Sequence, residues 1–269
     1  KDRAKGFGII GASFGFGFIF GPAISALTLP WGLSVPFLIA AAVSFLAAIL
    51  TLFVLPETNT HMGEIRSGKL FNFKHMTHAI FDKAIGKTLL IIFLYSSAFS
   101  LFIYAFQPVS VKILKLSAQQ IAIFFTVAGL MGVIAQAGVI PRFTKRWGEK
   151  KALTGSLLVM VATFSGFFLA RHFLLFIMLV IINSFANAFV LPLTQALLSK
   201  EVDAKSQGSI LGLAASYQSI GMILGPILGG VIATVSVPMP FLLGAAFFVV
   251  CAFLSGKILI TPQPVQEVF

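Results

Sequence analysis

Long apolar segments alternate with short polar ones along the whole chain. Each apolar segment is about 20 residues long, which is the length that a helix needs to cross the hydrocarbon core of a bilayer. A transmembrane β-barrel would instead show shorter segments of alternating polarity. The pattern therefore predicts an all-α, polytopic membrane protein. The predicted helices cover residues 6–28, 34–55, 88–110, 118–140, 152–170, 173–194, 207–234 and 239–260.

The amino-acid composition also favours helices in lipid. Hydrophobic residues make up 58% of the chain and charged residues only 10%, whereas about a quarter of the residues of a soluble domain are charged. The 24 glycines are in keeping with helices that pack closely in a membrane. A water-soluble domain of this size is therefore excluded.

The formal net charge of +11 is explained by the positions of the basic residues. If residue 1 lies in the cytoplasm and the eight helices alternate in direction, all Lys and Arg except Lys112, Lys115 and Arg171 fall on the cytoplasmic side. This is the positive-inside pattern of membrane proteins. We therefore expect both termini of this chain to be cytoplasmic, and we do not expect nucleic-acid binding.

The chain contains an internal repeat at an offset of 204 residues. The segment Gly17-Phe-Ile-Phe-Gly21-Pro22 aligns with Gly221–Pro226, with Gly and Pro at the same places. At the same offset, Pro36-Phe-Leu aligns with Pro240-Phe-Leu. Predicted helices one and two are thus copies of helices seven and eight. Four helices lie between the copies, so the repeat unit has six helices, as in transporters built from parallel repeats.

This repeat predicts the domain organisation. Residues 1–55 are the last two helices of an N-terminal bundle, residues 56–87 are a cytoplasmic linker, and residues 88–269 are a C-terminal six-helix bundle with a tail. Helices one to four of the first bundle are then expected upstream of residue 1. The linker carries apolar residues between its basic ones, which is typical of a short amphipathic helix on the membrane surface.

Small residues line the repeated helices at a spacing of four. They are Gly17, Gly21, Pro22, Gly221, Gly225, Pro226 and Gly229. Such stripes let helix backbones approach closely, and Pro bends a helix. Two interpretations remain open, namely ordinary tight packing and a stiff gate in a transporter.

Several of these motifs resemble those of a known family. The segment Gly17–Pro22, after Arg3-Ala-Lys5-Gly6, resembles the antiporter motif in helix five of major facilitator drug efflux proteins. Residues 6–57 are similar to tetracycline-resistance pumps and their multidrug relatives. Residues 138–151 resemble the basic gating loop in the second half of that superfamily, although Pro141 stands where Asp is common.

The resemblance covers the whole chain as helices five to twelve of a twelve-helix transporter. It implies a major facilitator fold in which the Gly-Pro helices, together with Arg142 and Arg146, contribute to gating. The antiporter motif usually ends in Gly-Gly, and Ser25-Ala26 replaces this pair here, whereas the second copy keeps Gly229-Gly230.

Polar and aromatic residues form stripes along the predicted helices. Ser96, Ser100, Tyr104 and Gln107 share one helical face, and Asn183 and Asn187 share another. In lipid, such side chains face the interior or a watery cavity. They either bridge helices by hydrogen bonds or line a cavity for an amphipathic organic substrate. The candidate cavity residues are Tyr95, Ser96, Phe99, Ser100, Tyr104, Gln107, Gln136, Asn183, Asn187, Tyr217 and Gln218.

The ionisable residues bear on coupling and on cofactors. All eight acidic residues fall in predicted loops or in the tail, while proton coupling needs an ionisable group inside the membrane protein. We therefore expect the coupling carboxylates in the upstream helices. His75 and His78 with Asp82, and His61 with Glu64, have no fixed ligand geometry, so neither a metal nor another cofactor is predicted.

The leading hypothesis is a proton-coupled exporter of drugs or other amphipathic compounds that works by alternating access. Its partners would be a small-molecule substrate, protons and the lipid bilayer, and we expect a monomer in a bacterial inner membrane. No arrangement typical of an enzyme is present at membrane depth. The alternatives are export or import of a metabolite or siderophore on the same fold, and a truncated protein that does not transport.

Overall fold

The computed structural model describes residues 17, 20–54, 79–82, 85–202 and 207–258. The regular structure within these ranges is helical, as predicted. The helices are α1 (residues 20–28), α2 (Val35–Val54), α3 (Gly86–Pro108), α4 (Ala118–Ile134), α5 (Ile140–Trp147), α6 (Glu149–Leu169), α7 (Phe173–Glu201), α8 (Gln207–Ala233) and α9 (Met239–Ser255). The start of the first predicted helix and most of the linker lie outside the described residues.

Within the described residues, five helices are long and apolar enough to cross a membrane. They are α2, α3 with its π-helical extension to Ile113, α6, α7 and α8. Helices α4 and α9 are apolar but have only 17 residues each. A π-helical turn, Ala135–Val139, joins α4 to α5. The segment that resembles a basic gating loop is thus mostly helical, and Pro141 stands in the first turn of α5, where a missing N–H costs nothing.

Local sequence signals explain two of the helix boundaries. Helix α4 begins with a capping box, in which Ser117 and Gln120 each bond the other's backbone N–H. This satisfies donors that the helix start would leave unpaired. Gly148 separates α5 from α6 with φ +80°, a conformation that only glycine adopts without strain.

Helix α3 is central to the packing of the second half. It packs against α8 and α9, and more lightly against α7, while α6 lies against both α7 and α9 and α4 lies against α7. Phenylalanine rings fill the core between α3, α6 and α9. Phe102 has its ring centroid 5.8 Å from Phe164, 5.4 Å from Phe167 and 6.0 Å from Phe241. Tilted and edge-on rings at these distances attract one another beyond simple burial.

The two copies of the repeat start at equivalent positions but have different surroundings. Helices α2 and α9 begin at Val35 and Met239, which are 204 residues apart. Phe241 in α9 is fully buried, whereas its counterpart Phe37 in α2 is 78% exposed. None of the residues Val35–Val54 is buried. The difference arises because α3 and α6 cover α9.

Candidate functional site

The glycine stripe of α8 packs directly onto the polar stripe of α3. A Cβ atom on Gly221 would lie 3.0 Å from Cβ of Ser96, and one on Gly225 would lie 2.5 Å from Cβ of Ser100. A Cβ on Gly229 would lie 2.7 Å from the ring of Tyr104. Because glycine has no side chain, the two backbones can approach this closely. Two features that lie 125 residues apart in the sequence thus form one interface.

This contact separates the α3 stripe into a buried part and an open part. Ser96 and Ser100 are buried, and the Ser100 hydroxyl donates to the Met222 carbonyl at 2.9 Å. The Ser96 Oγ atom has no partner among the described residues. Tyr104 is half-buried and Gln107 is exposed. Ser96 and Ser100 therefore serve mainly to pack α3 on α8.

The open part of the stripe, with Ser100 at its edge, lines an open cavity of about 610 Å³. Both helices of the interface contribute to its wall. The lining residues are Ser100, Ile103, Tyr104, Gln107, Pro108, Val111, Lys112 and Pro226. A volume of this size accommodates a drug-sized organic molecule.

Lys112 is the charged residue among these lining residues, whereas the alternation of helices predicts it in an outer loop. The helix does not end at Pro108 but continues as a π-helical segment over Val109–Ile113. The face that carries Tyr104 and Gln107 therefore extends to Lys112. The predicted helix ends at residue 110, and continuing its spacing for two more residues identifies Lys112.

The polar residues of α7 form hydrogen bonds to neighbouring helices. The Tyr95 hydroxyl donates to Asn187 Oδ1 at 2.9 Å, which joins α3 to α7. The Thr163 hydroxyl donates to Asn183 Oδ1 at 2.9 Å, which joins α6 to α7. Phe99 stacks on Tyr95, with ring centroids 6.3 Å apart. Tyr95, Asn183 and Asn187 therefore bridge helices. Neither these three residues nor Phe99 are among the residues that line the cavity.

The remaining predicted cavity residues are spread over the bundle. Tyr217 is buried in a second apolar cluster with Ile85, Leu198 and Ile210. Gln218 beside it is half-buried, and Gln136 is exposed in the π-helical turn after α4. The structure does not bring these three side chains to the wall that Tyr104 and Gln107 line.

The predicted gating residues differ in their surroundings between the two copies. A Cβ on Gly17 or Gly21 would meet no described atom within 4 Å, and Pro22 is half-buried. Arg142 and Arg146 are exposed on α5, and the Arg142 guanidinium donates to the Gly138 carbonyl one turn earlier.

One buried acidic residue lies in a helix and not in a loop. The apolar pattern predicts Glu201 in a loop, but Glu201 is the last residue of α7 and its exposure is only 1%. The Thr88 hydroxyl on α3 donates to its Oε1 at 2.9 Å, and its Oε2 has no partner in the described part of the chain. The expectation failed because α7 continues for seven residues beyond the predicted end at residue 194. The His and Glu residues that were considered as metal ligands, and for which no metal was predicted, lie outside the described residues, whereas Asp82 lies within them.

The whole chain is covered by a known family of membrane proteins. A family model described as Major Facilitator Superfamily matches residues 1–171 and 88–269. The chain belongs to the major facilitator superfamily. The helical architecture, the repeat and the motif resemblance all agree with this family of membrane transporters.

Several major facilitator relatives are similar over most of this chain. Multidrug resistance protein 2 of Bacillus subtilis (strain 168) is 27% identical over 265 residues, which cover 93% of this chain and 63% of the relative. Tetracycline resistance protein, class C, of Escherichia coli is 30% identical, covering 93% of this chain and 64% of the relative. The chain thus spans just under two thirds of the length of these relatives.

A solved structure supports the fold. The human organic anion transporter MFSD10 (TETRAN) superposes with a TM-score of 0.58 over 64% of this chain and 40% of that chain. The two sequences are 22% identical, so this similarity supports the helical fold and does not extend to substrate or mechanism.

Proposed function

We propose that this major facilitator protein exports drugs or other amphipathic organic compounds, by proton-coupled alternating access. The cavity between α3 and α8 is the observation that carries the proposal. Its wall combines an aromatic ring, an amide and aliphatic side chains, which suits a bulky and weakly polar substrate. The names of the bacterial relatives, multidrug and tetracycline resistance proteins, favour the same class of cargo.

The rigid contact between α3 and α8 supports a rocking mechanism. Helices joined by close glycine contacts at Gly221, Gly225 and Gly229 move as one body. Alternating access needs such bodies to tilt against another bundle about a substrate site. We further propose that the protein works as a monomer in a bacterial inner membrane, with both ends of this chain in the cytoplasm, as the positive-inside count indicates.

A second candidate cargo is a metabolite with an acidic group. Lys112 supplies a positive charge to the cavity wall, and an ammonium attracts carboxylates or phosphates. This cargo keeps the same fold and site and changes only the chemistry that is recognised.

Drug efflux can be tested in bacterial cells that lack their own exporters. The full natural coding sequence is expressed, and retention of a fluorescent amphipathic dye is measured with and without a pH gradient. Gln107→Leu should raise dye retention by about fivefold if the amide bonds the substrate. Gln119→Leu is the matched control, because Gln119 is exposed at the start of α4 and does not line the cavity.

Unchanged retention on expression of the natural protein would contradict drug export. If retention of an acidic dye, but not of a neutral one, depends on Lys112, as judged by Lys112→Gln, the second candidate replaces the first. Dye retention that does not depend on the pH gradient would contradict proton coupling.

A further inference from the structure

Glu201 lies where three helices of the bundle meet. It ends α7, beside the first turn of α3 that holds Thr88, and near the start of α8. An apolar cluster fills this junction. It includes Leu89 and Val202, the chain neighbours of Thr88 and Glu201. Its members are Ala79, Ile85, Leu89, Ile92, Leu198, Val202, Ile210, Ala214 and Tyr217. Glu201 is 1% exposed and its chain neighbour Val202 belongs to this cluster, so the carboxyl group has lost the water that stabilises a charge.

The hydrogen bonding of Glu201 is incomplete. Oε1 accepts the bond from Thr88 at 2.9 Å, and Oε2 has no partner within the described ranges. A buried carboxylate normally has hydrogen bonds on both oxygens, because an unpaired one has lost its water without compensation. A proton on Oε2 removes the charge that burial disfavours.

The charged and titratable groups around Glu201 act in opposite directions. Lys87, at the start of α3, and Asp82, before α3, are charges of opposite sign in the surroundings of Glu201. Tyr217 on α8 faces the same apolar cluster. Lys200, the neighbour on α7, is engaged with Glu149 on α6 at 2.7 Å.

The ends of the helices contribute in the same balanced way. Glu201 stands at the C-terminal end of α7, whose partial negative charge disfavours an anion. It also contacts the first turn of α3, whose partial positive charge favours one. The two helix ends therefore act on the carboxyl group in opposite directions.

We propose that Glu201, together with the Thr88 hydroxyl, forms a proton-binding site within the six-helix half of this protein. The carboxylate accepts the Thr88 bond, and the neutral acid carries its proton on Oε2. The binding of the proton does not depend on the proposed export, while a role for the site in coupling rests on that proposed function. The site departs from the expectation that ionisable groups for coupling lie only upstream of residue 1.

Infrared spectroscopy of the purified natural protein in lipid tests the site directly. The carbonyl stretch of a protonated carboxylic acid is followed from about pH 5 to about pH 9. We expect a signal that disappears as the pH rises, that is absent in Glu201→Gln, and that remains in Glu149→Gln. Glu149 is the matched control because it lies at the same end of the bundle, with its carboxylate in an exposed ion pair.

Thr88→Val provides a second test, which remains usable if Glu201→Gln fails to fold. Loss of the hydroxyl removes a bond that favours the carboxylate, so the midpoint of the signal should move to higher pH by about one unit, a tenfold increase in proton affinity. An identical spectrum in the natural protein and Glu201→Gln would overturn the proposal, as would an unchanged midpoint in Thr88→Val. A signal that responds to Na⁺ at constant pH, and not to pH itself, would also overturn it.

These outcomes are separable from those of the efflux assay. The carboxyl signal is measured without substrate, so it can persist in a protein that exports no drug. If Glu201→Gln loses the titrating signal but exports normally, Glu201 binds a proton but has no role in coupling.

Discussion

Gly225 faces Ser100 so closely that a methyl group on the glycine would lie 2.5 Å from the serine Cβ and 2.9 Å from the Ser97 carbonyl oxygen. Any larger residue at position 225 must push α8 away from α3. The Ser100 bond to the Met222 carbonyl crosses the same interface, so it would weaken at the same time.

Gly225→Ala should therefore lower the free energy of unfolding by about 1–3 kcal/mol, the usual cost of overpacking a tight interface. The measurement is equilibrium unfolding of the purified protein in mixed micelles. Gly212→Ala is the control on the same helix, because a Cβ there would meet no described atom within 4 Å. Equal losses in the two variants would show that the contact with α3 is not the cause.

The bond between Tyr95 and Asn187 should contribute a small, measurable coupling energy. A double-mutant cycle with Tyr95→Phe and Asn187→Ala isolates it, and bonds between membrane helices average about 0.6 kcal/mol. Asn183→Ala in place of Asn187→Ala is the control, because Asn183 is bonded to Thr163. Strict additivity of Tyr95→Phe and Asn187→Ala would contradict the bond.

Gly148 should resist substitution for a different reason. Its φ of +80° and ψ of 156° belong to a region that is essentially restricted to glycine, with a cost of about 1–3 kcal/mol for other residues. Gly148→Ala should lower the unfolding midpoint. Gly155→Ala, in helical conformation on α6 with no described atom near its Cβ, should leave it unchanged or raise it.

The ion pair between Lys200 and Glu149 should matter little for stability. The side chains are 52% and 27% exposed, and pairs of this kind contribute about 0–1 kcal/mol. Glu149→Gln should therefore change the free energy of unfolding by less than about 1 kcal/mol, and the change should shrink further in high salt. A larger loss that is insensitive to salt would contradict this view of the pair.

The sequence alone determined the type and approximate position of the long apolar helices in the described part of the chain, but not the short helix α5, which it predicted as a basic loop. The length of an apolar segment determines whether a helix there can span a membrane. The 204-residue offset showed that α9 repeats α2, and the two helices begin at Met239 and Val35. The polar stripe on α3 was visible in the same way. These features are local, because they depend on spacing along one helix.

Only the tertiary structure decided which stripes meet and which residues are enclosed. The sequence could not show that Gly225 opposes Ser100, or that Tyr95 donates to Asn187, because these pairs are distant in the chain and their contact depends on how helices pack. Glu201 is the clearest case. The apolar spacing predicts that Glu201 lies beyond the end of a membrane span. It is buried because α7 continues past the predicted end and Thr88 of α3 donates a hydrogen bond to it.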